Sequence, residues 1–261
     1  MDKLKKLYNY LKKQKDKKIV FLTTSNRWEG EKDFPKSSIV ADELYKKLDN
    51  CEIINVSKLN IFSCEGNVSN HKGNGCGVKD AVLKDKSKNP TGDIRCWASI
   101  NNKSDEMYKV ANAIFEADII IFFGSIRWGK MNAIYTKLIE RLTWLENRHT
   151  TLGESNLIKD KECGIIAIGH NWNGAEAIIL EKEVLSFFGF KTPDILSFNW
   201  QWTKDKNDES KSGYKKDFPD FLKDFNFNDF NFNECKVESK VESKMQTSLN
   251  CFESLMKKYN G

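Results

Sequence analysis

The chain has 261 residues and a formal net charge of +5, long enough for one full hydrophobic core and, at roughly 150 residues per domain, for one to two domains. Residues 1–18 hold eight lysines against two aspartates, so the remainder sums to about −1, and a nearly neutral body excludes the basic footprint of a nucleic-acid-binding protein. No run reaches the roughly 18 apolar residues of a membrane span, and seven cysteines without a secretory signal point to free thiols in a reducing, cytoplasmic compartment rather than to a disulfide framework.

In chain order, Leu4, Leu7 and Leu11 share a helical stripe among lysines, so residues 1–17 read as a basic helix docked on the surface. Residues 18–24 are an apolar run and the first core strand. Ser25, Asn26, Arg27 and Trp28 follow. After a polar bridge, residues 35–38 open a helix whose Ile39, Val40, Leu44 and Leu48 form one face. The unsatisfied N–H groups of a helix N-terminus suit an anion, which makes Ser25, Arg27, Ser37 and Ser38 phosphate candidates; the ordinary alternative is that Ser37 or Ser38 only caps the helix. Residues 52–56 form a second strand.

Residues 57–103 are an insertion rich in Asn, Lys and Gly, and a loop of this length is usually functional or disordered. It holds Cys64, Cys76, Cys96 and His71. Eleven and nineteen residues separate the cysteines, with no Cys-x-x-Cys pair of the compact kind metal and iron–sulfur sites favour. Residues 80–85 suggest a short helix and 90–92 a turn.

Residues 105–117 read as a helix with Met107, Val110, Ile114 and Phe115 inward. It delivers the chain to residues 118–123, an apolar, β-branched and aromatic strand buried on both faces. The chain breaks at Gly124, and from Gly129 a helical pattern resumes through Ile134, Leu138, Leu142 and Leu145. Such strand-to-helix passages are where α/β folds bind cofactors. Residues 146–153 read as a polar loop carrying Arg148 and His149. A fourth strand covers 163–169, and a short loop over 170–174 opens a helix with Ile178, Ile179, Val184, Phe187 and Phe188 inward, closing on Gly189. A fifth strand covers 195–202. Beyond residue 204 the chain turns to low-complexity repeats without a core stripe, a tail.

Strand–helix units repeated five times predict a parallel sheet covered by helices on both faces. Binding loops after the first, third and fourth strands match the flavodoxin-like doubly wound arrangement, order 2-1-3-4-5, with flavin mononucleotide (FMN) beyond the strand ends.

Residues 18–203 resemble the NADPH-dependent FMN reductase group of flavodoxin-like proteins. Thr24-Ser25-Asn26-Arg27 stands where that group carries Gly-Ser-x-Arg, and Gly124-Ser125-Ile126-Arg127-Trp128-Gly129 where it carries Ser-Pro-Val-Tyr-Trp-Gly. Lys137, Glu140 and Arg141 follow its Lys-x-x-x-Asp-Arg ending, with Glu in place of Asp. The resemblance implies FMN, NADPH or NADH as electron donor, a small acceptor such as a quinone, nitro compound or flavin, and a homodimer or homo-oligomer. The flavin carries the chemistry, with no catalytic side chain. Ser25, Arg27, Ser37 and Ser38 would then meet the phosphate. The ring and its edge would meet Gly124, Ser125, Ile126, Arg127, Trp128 and Gly129 on one loop and Gly169, Asn171, Trp172 and Asn173 on another, with Trp128 and Trp172 offering flat faces. Arg127 replaces a common Tyr, and a cation near the ring favours the reduced flavin. Arg148 and His149 are the neighbours nominated for a nicotinamide phosphate or an acceptor. Cysteine-bearing members carry Cys-x-x-Cys where this chain has Cys64-Glu-Gly-Asn, so no metal is expected; Cys64, Cys76 and Cys96 are the residues one would use. An electron carrier like flavodoxin or the iron–sulfur flavoproteins, and a non-catalytic binding protein, are the alternatives.

Overall fold

The computed structural model describes residues 2–26, 35–169 and 173–201. Its strands are β1 (Ile19–Thr23), β2 (Cys51–Asn55), β3 (Ile119–Gly124), the short pair β4 (Ile126–Arg127) and β5 (Lys130–Met131), then β6 (Glu162–Gly169) and β7 (Phe198–Gln201). Five of them form a sheet in the order β2-β1-β3-β6-β7, all parallel, and β4 and β5 make a separate antiparallel hairpin. This is the doubly wound order expected from the sequence. The helices are α1 (Asp2–Lys13), α2 (Lys36–Tyr45), α3 (Trp97–Asn101), α4 (Met107–Glu116), α5 (Ala133–Thr150) and α6 (Gly174–Phe188).

Every residue of β1 and β3 is buried, because both faces of the sheet are covered. Alternation along the strands divides the apolar side chains between the faces. Val20, Leu22, Ile120, Phe122, Ile165 and Ala167 join one core with the inward residues of α4, α5 and α6, where Phe122 meets Tyr135 edge to face at 5.5 Å. Their neighbours Ile19, Phe21, Ile119, Ile121 and Phe123 point the other way, and α2 packs on β1, β2 and β3. The lysine-rich α1 is docked by Leu4, Leu7 and Leu11, which are at most 1% exposed, and by Tyr10, whose hydroxyl donates to Glu162 Oε2 at 2.6 Å. Its apolar stripe is spent on the fold. No helix among the described residues is long and apolar enough to cross a membrane.

Gly164 shows how tightly β6 is seated. A Cβ there would lie 2.1 Å from the carbonyl oxygen of Leu196 and 2.4 Å from its Cβ. Gly164→Ala should therefore cost about 1–3 kcal/mol by overpacking, read as a lower denaturant midpoint with an unchanged slope.

Four expectations are corrected by the tertiary structure. The passage after Gly124 is not a simple loop into a helix: the chain first folds into the β4–β5 hairpin, and α5 starts only at Ala133. The segment 146–153 is not a loop at its start, because α5 continues to Thr150 and carries Arg148 and His149 in its last turn. The fifth strand is shorter than expected, with a 3-10 turn over Asp194–Leu196 before β7. On α6, Ile178 and Phe188 are buried but Ile179 and Phe187 are 61% and 73% exposed; adjacent residues lie about 100° apart on a helix, so both members of each pair cannot face one sheet.

The insertion packs Ile61, Ile94 and Ala98 into the same core as Leu138, Leu142 and Leu145 of α5, and a buried ion pair adds to that contact. Arg141 and Asp105 have fully buried side chains. Arg141 Nη1 and Nη2 donate to Asp105 Oδ1 and Oδ2, each at 2.8 Å, while Nη1 also reaches the Phe62 carbonyl at 2.7 Å and Nη2 the Ser99 hydroxyl at 2.8 Å. Ser99 in turn donates to Asp105, as does the Phe62 N–H. One turn earlier, Lys137 Nζ donates to the Ile61 carbonyl at 2.6 Å. Lys137 and Arg141, the basic residues of the Lys-Leu-Ile-Glu-Arg stretch, thus hold residues 61–62.

Candidate functional site

Three loops leave the C-terminal ends of β1, β3 and β6, at the edge where parallel α/β sheets bind ligands. The first passes from β1 to α2. Ser25 is 4% and Ser37 1% exposed, and the Ser37 hydroxyl donates to Ser25 Oγ at 2.8 Å. The residue before the helix is Pro35, and no side chain caps it. Ser37 therefore lies inside the first turn and is not the N-cap, and Ser38 beside it is half-buried. Two hydroxyls, uncapped N–H groups and the positive end of the helix dipole converge, a donor set suited to a phosphate. Arg27 and Trp28 lie outside the described residues.

The second loop leaves β3 at Gly124. The site is crowded: a Cβ would stand 2.5 Å from Met131 Cε, which would have to shift, and 3.0 Å from both Asn132 Oδ1 and Thr24 Oγ1. Ser125 is half-buried and Ile126 buried. Arg127 and Lys130 then pair across a two-residue turn formed by Trp128 at φ 51° and Gly129 at φ 73°. Positive φ at both central residues is the signature of a type I′ turn, which suits the twist of a tight hairpin. Gly129 meets that demand without cost; Trp128 does not, and it is 84% exposed.

The third loop follows β6. The hairpin presses on Gly169, with Ile126 atoms 3.0–3.2 Å from where a Cβ would sit, tighter than an ordinary side-chain contact. Asn173, at φ 67°, opens α6, and its Nδ2 donates to the Gly129 carbonyl at 2.8 Å. Asn171 and Trp172 lie outside the described residues. Trp128 and Asn173 are the two non-glycine residues with positive φ among those described. Left-handed backbone at non-glycine positions costs about 1–3 kcal/mol and collects at functional sites. Here both fall on one edge of one sheet, and Asn173 bonds to Gly129, the residue after Trp128.

Sequence reasoning passed over the residue that ties the first loop to the second. Asn132 is 6% exposed; its Nδ2 donates to the Thr24 carbonyl at 2.8 Å, and its Oδ1 accepts from the Ser125 N–H at 3.2 Å and from the Thr24 hydroxyl at 3.1 Å. Its only sequence signal is an Asn just before a helix, which reads as an N-cap. The side chain instead turns away from α5, with no cap hydrogen bond to the helix.

Arg148 and His149 are not brought to this edge. They sit at the far end of α5, roughly 22 Å along the axis from Ala133 at about 1.5 Å per residue. Arg148 is buried, donating through Nε to Glu154 at 3.0 Å and through Nη1 to the Asp93 carbonyl at 2.8 Å, and His149 Nε2 contacts the Phe188 carbonyl at 3.0 Å. Both side chains are structural ties.

Cys64 is half-exposed, while Cys76 and Cys96 are buried. Burial, followed by the neighbouring Cys96, pushes the Cys76 thiol up to about 12, against a favourable contact from Asn147. Among the described residues no three His, Cys, Asp or Glu side chains are grouped to hold a metal ion. An open groove of about 500 Å³ along α6, lined by Ile179, Lys182, Glu183, Ser186, Phe187 and Thr192, contains none of the expected ligand residues.

No protein-family model matches the chain, and no curated protein matches it either. Solved structures do. RosB, determined with bound 8-demethyl-8-formylriboflavin-5'-phosphate, is similar over 89% of this chain and 86% of its own, with a TM-score of 0.50 and 14% identity. An azoreductase from Bacillus anthracis str. Sterne is similar over 80% of this chain and 96% of its own, at a TM-score of 0.46 and 14% identity. The flavoenzyme NAD(P)H:(acceptor) oxidoreductase FerB from Paracoccus denitrificans covers 80% and 92%, at 0.41 and 14%. With the strand order above, the RosB likeness makes the fold flavodoxin-like; at this identity it speaks to fold alone.

Proposed function

We propose that this chain is an FMN-dependent oxidoreductase that accepts electrons from NADPH or NADH and passes them to a small acceptor. The observation that carries the reading is the convergence at one sheet edge of the Ser25–Ser37 pair on the uncapped start of α2 with the two strained, mutually bonded loops after β3 and β6. The solved structure most like this chain in fold among those named holds a riboflavin-5'-phosphate derivative, which agrees in kind with that donor set.

FMN, when bound, supplies the two-electron chemistry. The residues of this chain supply binding and orientation. The Ser25 and Ser37 hydroxyls and the first N–H groups of α2 hold a dianionic phosphate. Asn132 keeps the exits of β1 and β3 in register, so the phosphate loop and the Ser125–Gly129 loop keep a fixed spacing. Gly124 and Gly169 let the hairpin approach the strand ends. The expectation of a homodimer belongs to the same proposal, since a second copy covering that edge would exclude water from the ring.

Added FMN should stabilise the protein by about 2.7 kcal/mol at one hundred times its dissociation constant, measured as a rise in Tm. Anaerobic NADPH should then bleach the flavin absorbance. A rise in Tm without bleaching would move the chain to the electron carriers, and no rise in Tm would leave a binding protein that does not use flavin.

A further inference from the structure

The β4–β5 hairpin carries two features that cost stability and that the fold does not need. Arg127 and Lys130 stand directly opposite each other in the antiparallel pair, so their side chains share one face; both are exposed, and neither makes an ion pair with a described residue. Like charges in this relation destabilise a hairpin. Between them Trp128 holds a left-handed backbone and 84% of its surface in solvent, at a turn position that favours Asn or Gly.

The hairpin has no room to relax. Its base is closed by Asn132 N–H donating to the Ser125 carbonyl at 3.0 Å, its side is pressed on Gly169, and its tip is held by Asn173 on the Gly129 carbonyl. The held turn therefore places an exposed Trp128 between two cations that pair with no described residue, at the ligand edge of the sheet. A group that is both anionic and aromatic reverses both penalties, because its charge turns the Arg127–Lys130 repulsion into two attractions and its ring covers the indole.

We propose that the Arg127–Trp128–Lys130 tip of this hairpin binds a small aromatic anion, with a carboxylate or sulfonate held by Arg127 and Lys130 and the ring stacked on Trp128. The guanidinium fork takes a carboxylate through two parallel hydrogen bonds and the ammonium adds a point charge. The assignment of this ligand as the electron acceptor rests on the oxidoreductase reading; its binding does not. Aromatic acids and sulfonates are then the acceptor class, in preference to their neutral counterparts.

The test titrates the FMN-supplemented protein by calorimetry with 4-nitrobenzoate and with 4-nitrobenzyl alcohol, which have similar rings and differ in charge. The anion should bind about tenfold more tightly, an advantage that shrinks in high salt. In Arg127→Gln/Lys130→Gln, which removes a repulsion and so leaves folding intact, the ratio should fall to about one. Trp128→Leu should weaken both probes alike and preserve the ratio. A ratio near one in the unaltered protein, or a ratio unchanged in the double variant, overturns the proposal. It also falls if the double variant shifts the flavin midpoint potential while the ratio stays, because the cations would then serve the flavin. If FMN fails to bind, the oxidoreductase reading fails separately, and the same two titrations on the protein alone still decide whether the anion is preferred.

Discussion

Asp105→Ala should destabilise the protein by about 3–5 kcal/mol, the range for removing one partner of a buried ion pair and leaving the other charge uncompensated. Arg141 would then keep a fully buried guanidinium with the Phe62 carbonyl and Ser99 as its hydrogen-bond partners. Among the described residues its Nε has no hydrogen-bond partner even in the intact clamp. Urea unfolding should show a much lower midpoint, and hydrogen exchange should rise first across residues 61–105, which Asp105 and Arg141 hold to α5. Replacing both residues with apolar ones of similar volume should cost far less, since the penalty is the orphaned charge and not the lost bonds.

The same clamp sets a pH dependence. Burial alone would raise the Asp105 carboxyl, but the hydrogen bonds and charge of Arg141, with the Phe62 N–H and Ser99, outweigh it and hold the group below the ordinary carboxylate range. A carboxylate depressed in the folded state contributes stability that is fully present above its unfolded pKa, about 3.9, and is lost as pH falls through the lower folded value. The unaltered protein should thus lose stability steeply on acidification below about pH 4. Asp105→Ala, which lacks this proton uptake, should follow a shallower acid limb. Parallel limbs for the two proteins would remove Asp105 as the titrating group.

Ser37→Asp should abolish flavin binding while the protein stays folded. A carboxylate in the first turn of α2 gains up to about 1 kcal/mol from the helix dipole, which offsets part of the cost of burying it where Ser37 is 1% exposed, and the Tm of the variant without ligand checks that it is folded. Facing a phosphate at about 4 Å, the same carboxylate meets a repulsion of about 4 kcal/mol per unit charge at an effective dielectric of 20, enough to weaken FMN by a hundredfold or more. The Tm rise on adding FMN should vanish, whereas Ser37→Ala, which removes one hydroxyl but no helix N–H, should retain part of it. Tight binding by Ser37→Asp would place the phosphate elsewhere and overturn the role assigned to the Ser25–Ser37 pair.

The wholly apolar runs of β1 and β3 and the stripes of α2 and α4 were readable because burial on both faces of a parallel sheet, or on one face of a helix, writes its period directly into the order of residues. The same local rule pointed to Ser25, Ser37 and the 124–129 loop, since strand ends and helix starts are local features. The β4–β5 hairpin was not readable. Its two residues per strand are too short for any periodicity, and its turn holds a Trp at a position where sequence reasoning expects Asn or Gly. Arg148 and His149 looked free because α5 outlasts its apolar stripe, and only the folded chain supplies the partners that bind them there: Glu154 and Asp93 for Arg148, the Phe188 carbonyl for His149.

By itself, then, the order of residues determined the sheet, its five-fold strand–helix alternation and the strand ends where a ligand edge must lie, since each follows from which groups a strand or helix hides from water. Tertiary structure alone decided that Asn132 would brace Thr24 and Ser125 instead of capping α5 and that Asn173 would hold the hairpin by its carbonyl. It also decided that Arg141 would spend its charge on Asp105. The Asn132–Thr24, Asn173–Gly129 and Arg141–Asp105 contacts join residues 36 to 108 positions apart and have no local period. Their partners exist only after the sheet has brought the loops together.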